Sequence, residues 1–473
     1  MSESLNRRNF IQLSAAGGAL FLGASTILAH RAHGGSPLLV SPGCRSSKVK
    51  IAKIYLGKAK PHWPTPTLDL NEEIAKYEAE FTRLRDDFAD VDFVASQLVD
   101  SVDRVKEIAP KIQEADGILL IHLTIGISAE LQAVMDFKKP TVLFAAPYSG
   151  HEWVGFGQWE KKAPVTCLLT SDLSQLAAAV RPLRAIHHLR EARLLNITAR
   201  EMPADYLAAI KEKFGTDMIQ ITRERALQAY ESISDADAKA EAQKLIAEAD
   251  RVVEPGEDEI FRSCKLALAF EKLMNEENAT VITADCYGTM YRNLPAFPCI
   301  GFTRLNDMGL AGICESDLAS AMTFMIMQAL SGKPGFISDP TMDLSLHAAI
   351  LAHCLGSTKM DGPRGARAPY RIRTIMERQE GAVMQVFMRK GEKVTQAILT
   401  NPNRLLYFTG EIIDTPDTDR GCRTKITVKV DGDAEKLWKN WSHGLHRVTC
   451  YGNITKDLQR FCHLKNIEMI DEA

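Results

Sequence analysis

Between residues 48 and 185, short apolar runs alternate with polar stretches of helical length, a rhythm that few architectures can absorb. KVKIAKIYL, VDFVASQL, GILLIHL, PTVLFAA and PVTCLLT have strand length and carry β-branched or bulky apolar residues. The charged segment 71–90, after the first of them, reads as a helix. Strands joined through helices run parallel, because the chain must cross back before the next strand begins. Those crossovers cover both faces of the sheet.

The rhythm then repeats. ARLLNIT and DMIQIT open a second round, helices are expected at 235–250 and 257–276, and ATVITAD and PCIGF read as further strands. Beyond Asp339 the texture changes. GAVMQVFMRKGEKVTQAIL reads as a hairpin turning at Lys390-Gly391, and NRLLYFTGEII and CRTKITVKV alternate like strands buried on one side. The last segment, from Trp441, returns as strand, helix and strand. The expected fold is α/β: two doubly wound parallel-sheet (Rossmann-like) domains at 48–185 and 186–340, then a small antiparallel β domain at 341–473 that includes the closing segment.

The chain starts differently. Asn6-Arg7-Arg8-Asn9-Phe10-Ile11 puts paired arginines ahead of a mildly apolar run, diluted by Gly, Ala and Ser, that ends near Ala29. That is the layout of a twin-arginine export signal, expected over 1–35. Gly17, Gly18 and Gly23 make the run poor as a membrane span, which needs ~20 mostly apolar residues. The expected destination is the periplasm or another extracytoplasmic space, with no stable membrane insertion after cleavage. A formal charge of −3, no basic stripe and no zinc-finger spacing exclude nucleic acid as the natural partner. The ten cysteines form no CxxC pair, which argues against a disulfide framework or a zinc ribbon.

Two acids, Glu315 and Asp339, bracket a helix-sized apolar segment and a short β-like run. A helix from Asp317 to Ser331 carries the chain roughly 22 Å at ~1.5 Å per residue. The run Lys333–Ser338 returns about 20 Å at ~3.3 Å per residue. In a right-handed α/β unit, ligands collect at the carboxyl edge of the strands, so both carboxylates are expected to face one pocket there. By themselves these residues read more plainly as a helix cap and a turn opener.

The tail adds a pattern. In HRVTCYGNITKD, His446 is followed six residues on by Gly452 and eleven on by Asp457. These intervals, with the 24-residue separation of Glu315 and Asp339, resemble the motifs of the L-fucose/L-arabinose isomerase superfamily. The resemblance implies that Glu315, Asp339 and His446 bind one divalent metal, Mn²⁺ foremost, with Mg²⁺ or Co²⁺ as alternatives; carboxylates and imidazole suit such ions. It implies an aldose–ketose isomerase acting on an open-chain sugar, with Glu315 and Asp339 as the proton-transferring pair. A sugar-binding protein without turnover, or a metal-dependent epimerase or lyase on a modified sugar, also suits two α/β halves.

His443, in SHGLH, competes with His446, and His353, fourteen residues past Asp339, is a further ligand or substrate contact unless it is a core residue. His347 is a weaker candidate. Tyr148, His151, Trp153 and Trp159 form an aromatic loop after a strand, suited to stacking on a sugar or to packing the loop. By resemblance that loop reaches a neighbouring subunit's site, implying a homo-oligomer. Lys359, Arg364, Arg367 and Arg371 surround Gly-Pro-Arg-Gly as an anion-binding or simply solvated loop. Cys286 is expected to be buried beside the cleft. The chain departs from the family pattern in the Pro-Thr-Met-Asp that follows Asp339.

Overall fold

Strands β1 (Val49–Leu56), β2 (Val91–Val99), β3 (Gly117–His122), β4 (Thr141–Ala145) and β5 (Val165–Leu169) pair in parallel in the order β2-β1-β3-β4-β5. The computed structural model describes residues 39–45 and 47–473, so the export signal expected at 1–35 lies outside the described residues. β3 and β4 are buried along their whole length because helices cover both faces. Tyr77 of helix Leu70–Arg83 and Leu183 of helix Leu176–Glu191 pack with Phe144 on one face. Ile108 of helix Val102–Glu114 and Leu131 of helix Ser128–Met135 pack with Leu120 on the other.

The second sheet contains β6 (Arg193–Ile197), β7 (Asp217–Ile221), β9 (Val281–Ala284) and β10 (Ala311–Cys314), parallel in the order β10-β9-β6-β7. The two-residue β8 (Arg251–Val252) belongs elsewhere, beside a later strand. The expected strand PCIGF is instead the start of helix Cys299–Asp307. Five apolar residues cannot distinguish strand from helix. Gly301 sits where this helix packs on Glu257–Glu276, and a Cβ there would lie a tight 3.1 Å from the Cα of Ala267.

The C-terminal strands are β11 (Phe336–Asp343), β12 (Ala348–His353), β13 (Tyr370–Ile375), β14 (Glu380–Val386), β15 (Lys393–Asn401), β16 (Arg404–Asp414), β17 (Thr424–Val430), β18 (Arg447–Tyr451) and β19 (Glu468–Asp471). Six of them run antiparallel in the order β15-β18-β11-β12-β17-β16, and β16 pairs back onto β15. The expected small β domain is therefore a closed barrel, which leaves no open edges along its ring. β19 pairs in parallel with the first four residues of β16, Arg404 to Tyr407. β13 and β14 pair with each other and with β8 as a separate three-stranded sheet.

Two expectations fail on this topology. Lys390-Gly391 does turn the chain, with Gly391 at φ +83, but its flanking runs belong to different sheets. A turn signature reports a reversal without saying that its arms pair. Likewise the chain after helix Leu318–Ser331 does not add a parallel strand beside β10. It enters the barrel as β11, between β12 and β18. Among the described residues, no helix is long and apolar enough to cross a membrane.

Candidate active site

β10 ends at Cys314, and the next two residues take left-handed backbone, Glu315 at φ +62 and Ser316 at φ +54. Non-glycine residues there cost about 1–3 kcal/mol each and persist only where the surroundings hold them. The hold is visible. The Ser316 amide donates to Thr283 Oγ1 of β9 at 3.0 Å, and its hydroxyl donates to Asn196 Oδ1 of β6 at 2.7 Å. Carboxyl-end side chains of two neighbouring parallel strands thus fix the turn that presents Glu315.

Barrel register supplies the other groups. β11 and β18 pair with Ser338 opposite Arg447, so the next step places Asp339 opposite His446. β11 and β12 pair with Asp339 opposite Ala352, so His353 is the adjacent residue of β12. His446 Nε2 lies 3.4 Å from Asp339 Oδ1 and 4.0 Å from Glu315 Oε2, while His353 Nε2 lies 3.6 Å from Glu315 Oε1. The two imidazoles meet edge to face, with centroids 5.1 Å apart. Two acids and two histidines from both layers therefore converge where the second parallel sheet meets the barrel.

His446 is oriented by Asp317, which the sequence presents as a helix cap. Its Nδ1–H donates to Asp317 Oδ2 at 2.8 Å, which turns Nε2 toward Glu315 and Asp339. Asp317 also caps helix Leu318–Ser331 by accepting from the Ser320 amide at 2.9 Å. An N-cap spacing was legible in the sequence, but not that the second carboxylate oxygen would meet a histidine 129 residues away. Burial opposes charge on His446, yet its bond to Asp317 and the nearby Asp339 and Glu315 carboxylates raise its pKa above the ordinary value. Burial would raise the Glu315 pKa, but contact with His353 and the His446 imidazole lowers it. Asp317 is likewise lowered, its burial outweighed by His446 and Ser320.

A divalent ion fits these donors. Glu315, His353 and His446 each offer a ligand atom within 4.8 Å of the others; Asp339 falls outside that set, although its Oδ1 lies 3.4 Å from His446 Nε2. Asp339 Oδ1 and His353 Nδ1 are buried without hydrogen-bond partners, and such orphans cost about 1–3 kcal/mol each unless something satisfies them. Asp317→Ala is expected to remove about 1 kcal/mol of capping stability and to weaken metal binding 10–100-fold. Asp317→Asn should restore the melting temperature but not the full affinity. Titration of metal alongside thermal unfolding checks both.

The other sequence candidates fall elsewhere. His443 is exposed, in left-handed backbone at φ +61, and outside the converging set. His347 bonds the Gly432 carbonyl at 2.7 Å. Cys286 is buried, its thiol pushed up to about 12 by burial and by Glu315. It borders a cleft of about 180 Å³ that none of the four converging residues lines. Of the cationic loop, Arg367 pairs with Glu248, Arg371 pairs with Asp417 and Lys359 bonds the Pro363 carbonyl, while Arg364 is exposed.

The aromatic loop follows β4, at the carboxyl edge of the first sheet. Trp153 and Trp159 pack on that domain's core, His151 meets Trp63 at a tilt with ring centroids 4.8 Å apart, and Tyr148 is 75% exposed. Glu152 locks the loop by accepting from His122 Nε2 at 3.0 Å and from the Gly126 amide at 2.6 Å. Burial would raise the Glu152 pKa; the His122 bond and backbone amides bring it down to about 2 from 4.5. A depressed acid contributes stability above its unfolded pKa and loses it as pH falls through the folded value. The contribution, up to about 3 kcal/mol, should be complete above pH ~5 and vanish towards pH ~2. Acid unfolding of Glu152→Gln should lack that component.

Over 218 residues, 45% of this chain and 48% of the other, the protein is 22% identical to the sulfoquinovose isomerase of Alkalicoccus urumqiensis. The similarity is to sugar isomerases. A second sulfoquinovose isomerase, from Clostridium sp. (strain MSTE9), is 24% identical over 268 residues, 54% of this chain and 58% of that one. The chain spans about half the length of the curated relatives it matches. No protein-family model matches it.

Proposed function

We propose that the protein is a metal-dependent aldose–ketose isomerase whose substrate is an open-chain acidic sugar of the sulfoquinovose type. The observation that carries this reading is the convergence of Glu315, Asp339, His353 and His446 at a strained, pinned turn. Glu315, Asp339 and His446 would hold the ion, Mn²⁺ by the character of the donors, with His353 beside them. When bound, such an ion polarises the sugar carbonyl.

The remaining work belongs to the side chains. One of the two carboxylates takes the proton from the carbon next to the carbonyl, and the other guides its return to the neighbouring carbon, so that an enediol links aldose and ketose. Asp339 Oδ1, buried and unbonded, has a free lone pair for either role. Asp317 keeps the His446 ring fixed through the cycle. Export by the twin-arginine route and assembly into an oligomer, with the Tyr148–Trp159 loop approaching a neighbour's site, complete the proposal. Sequencing of the mature amino terminus and sedimentation analysis test these two parts.

The activity is tested by incubating the Mn²⁺-loaded protein with sulfoquinovose and with neutral aldohexoses in deuterated water. Expected are a ketose product and deuterium at the carbon next to the carbonyl, favouring the sulfonated sugar. Binding without exchange would indicate a sugar receptor, and exchange with loss of a substituent would indicate a lyase.

A further inference from the structure

A second cluster of metal-type donors lies well apart in sequence from the barrel, where residues 39–45 pass between the two α/β layers. The leading segment is tied down on both sides: the Gly43 amide donates to the Gly309 carbonyl at 2.8 Å, and Arg45 Nε donates to the Ala279 carbonyl at 2.6 Å. Between these anchors Cys44 turns inward, 4% exposed, against His187 and His188 of helix Leu176–Glu191. His187 and Glu191 sit four residues apart, on one face of that helix. Cys44, His187 and Glu191 each present a ligand atom within 4.8 Å of the others. Ions that bond at about 2.0–2.3 Å hold opposed donors at up to roughly 4.5 Å, so the set needs little closure.

The histidine is prepared for this. Its Nδ1 lies 2.7 Å from Asp116 Oδ2. Arg190 Nη2 lies 3.0 Å from the same nitrogen, and Nε2 faces Glu191 at 3.5 Å and the Ser47 hydroxyl at 3.1 Å, where a metal would displace its proton. A carboxylate–imidazole pair behind a ligand atom is the arrangement that fixes metal-binding histidines. An independent observation points the same way. His188 is 4% exposed, keeps its Nδ1 buried with no hydrogen-bond partner, and lines a small cavity of about 40 Å³ with Cys44 and Glu191, though not with His187.

We propose that Cys44, His187 and Glu191 form a three-ligand zinc site, with His188 beside its open position, that staples the leading segment to helix Leu176–Glu191 at the junction of the two α/β layers. Thiolate, imidazole and carboxylate together select zinc over manganese or magnesium, and cobalt is its spectroscopic substitute. The helix contributes Leu183 to the first core and Leu189 to the second, so an ion at its end would couple both layers to the incoming chain. The site does not depend on the isomerase reading.

The test uses the full chain, stripped of metal and reloaded with zinc or cobalt. Expected is one zinc per chain that survives His446→Ala, and a thiolate-to-cobalt charge-transfer absorption in the near ultraviolet that disappears in Cys44→Ser. Glu191→Gln, at an exposed helix end, should fold normally and bind zinc at least tenfold more weakly. Asp116→Asn should lose 10–100-fold. Cobalt bound without that absorption, an absorption that survives Cys44→Ser, or unchanged affinity in Glu191→Gln would overturn the proposal. So would a cavity that takes only an anion through Arg45, whose Nη2 is also buried and unpartnered, read as phosphate stabilising wild type and Cys44→Ser alike.

Discussion

Replacing His446 with alanine is expected to strip the divalent ion from the barrel mouth and lower turnover by at least about 10²–10³-fold, the scale of removing a preorganised electrostatic contact. His446 places its Nε2 against both acids, at 3.4 Å and 4.0 Å, while being held from behind by Asp317. Its loss would leave three buried or half-buried carboxylates repelling one another around a void. Glu315→Gln should have a comparable effect on turnover with little effect on folding. Glu315→Gly separates strain from chemistry. It frees the φ +62 position, so the metal-free protein should become more stable by about 1 kcal/mol even as activity disappears. Metal content, deuterium exchange and thermal unfolding of the three variants decide the matter. Metal retained at wild-type affinity in both His446→Ala and Glu315→Gln would remove the site from consideration.

Breaking the buried pair Arg447–Glu472 is expected to cost about 3–5 kcal/mol, because a charge would be left uncompensated in the interior. Arg447 is fully buried at the start of β18, and its guanidinium donates to Glu472 through Nε at 3.0 Å and Nη2 at 2.7 Å. It also donates to the carbonyls of His446 and Ser442, both at 3.0 Å, and lies over the Trp441 ring. One cation thus ties the penultimate residue of the chain to the loop that delivers His446. Glu472→Ala should therefore lower stability and also weaken metal binding. The double variant Arg447→Met/Glu472→Leu should recover most of the stability, since well-packed apolar pairs often match buried ion pairs. It should not recover metal affinity, because the carbonyls of Ser442 and His446 lose their donor. Denaturant unfolding of the single and double variants, with metal titration on each, tests the coupling. A Glu472→Ala protein within 1 kcal/mol of wild type would show that the pair contributes far less than buried ion pairs usually do.

The alternation of apolar and polar runs in residues 48–185 determined the first parallel sheet, since a strand buried on both faces has to be written as a continuous apolar run and its crossovers as polar helices. Spacing determined that Glu315 and Asp339 are separated by one helix and one strand. The interval pattern after His446 singled out that histidine over His443. None of these residues announced where its partners would be. Asp339 reaches Glu315 through a barrel strand, not through a parallel one, because β11 finds its hydrogen bonds on β12 and β18, whose residues lie up to about 110 positions later. Antiparallel register then aligned Asp339, His446 and His353, which no local pattern encodes. PCIGF is a helix that packs through Gly301 on Ala267, a tertiary contact invisible to a five-residue window. Asp317 acquired its second role, and Cys44 its histidines, only when segments more than a hundred residues apart were folded together. Local sequence thus determined what each segment would be and which acids and histidines were available. Tertiary structure decided which of them meet, because long-range pairing is chosen by the register and burial of the whole chain.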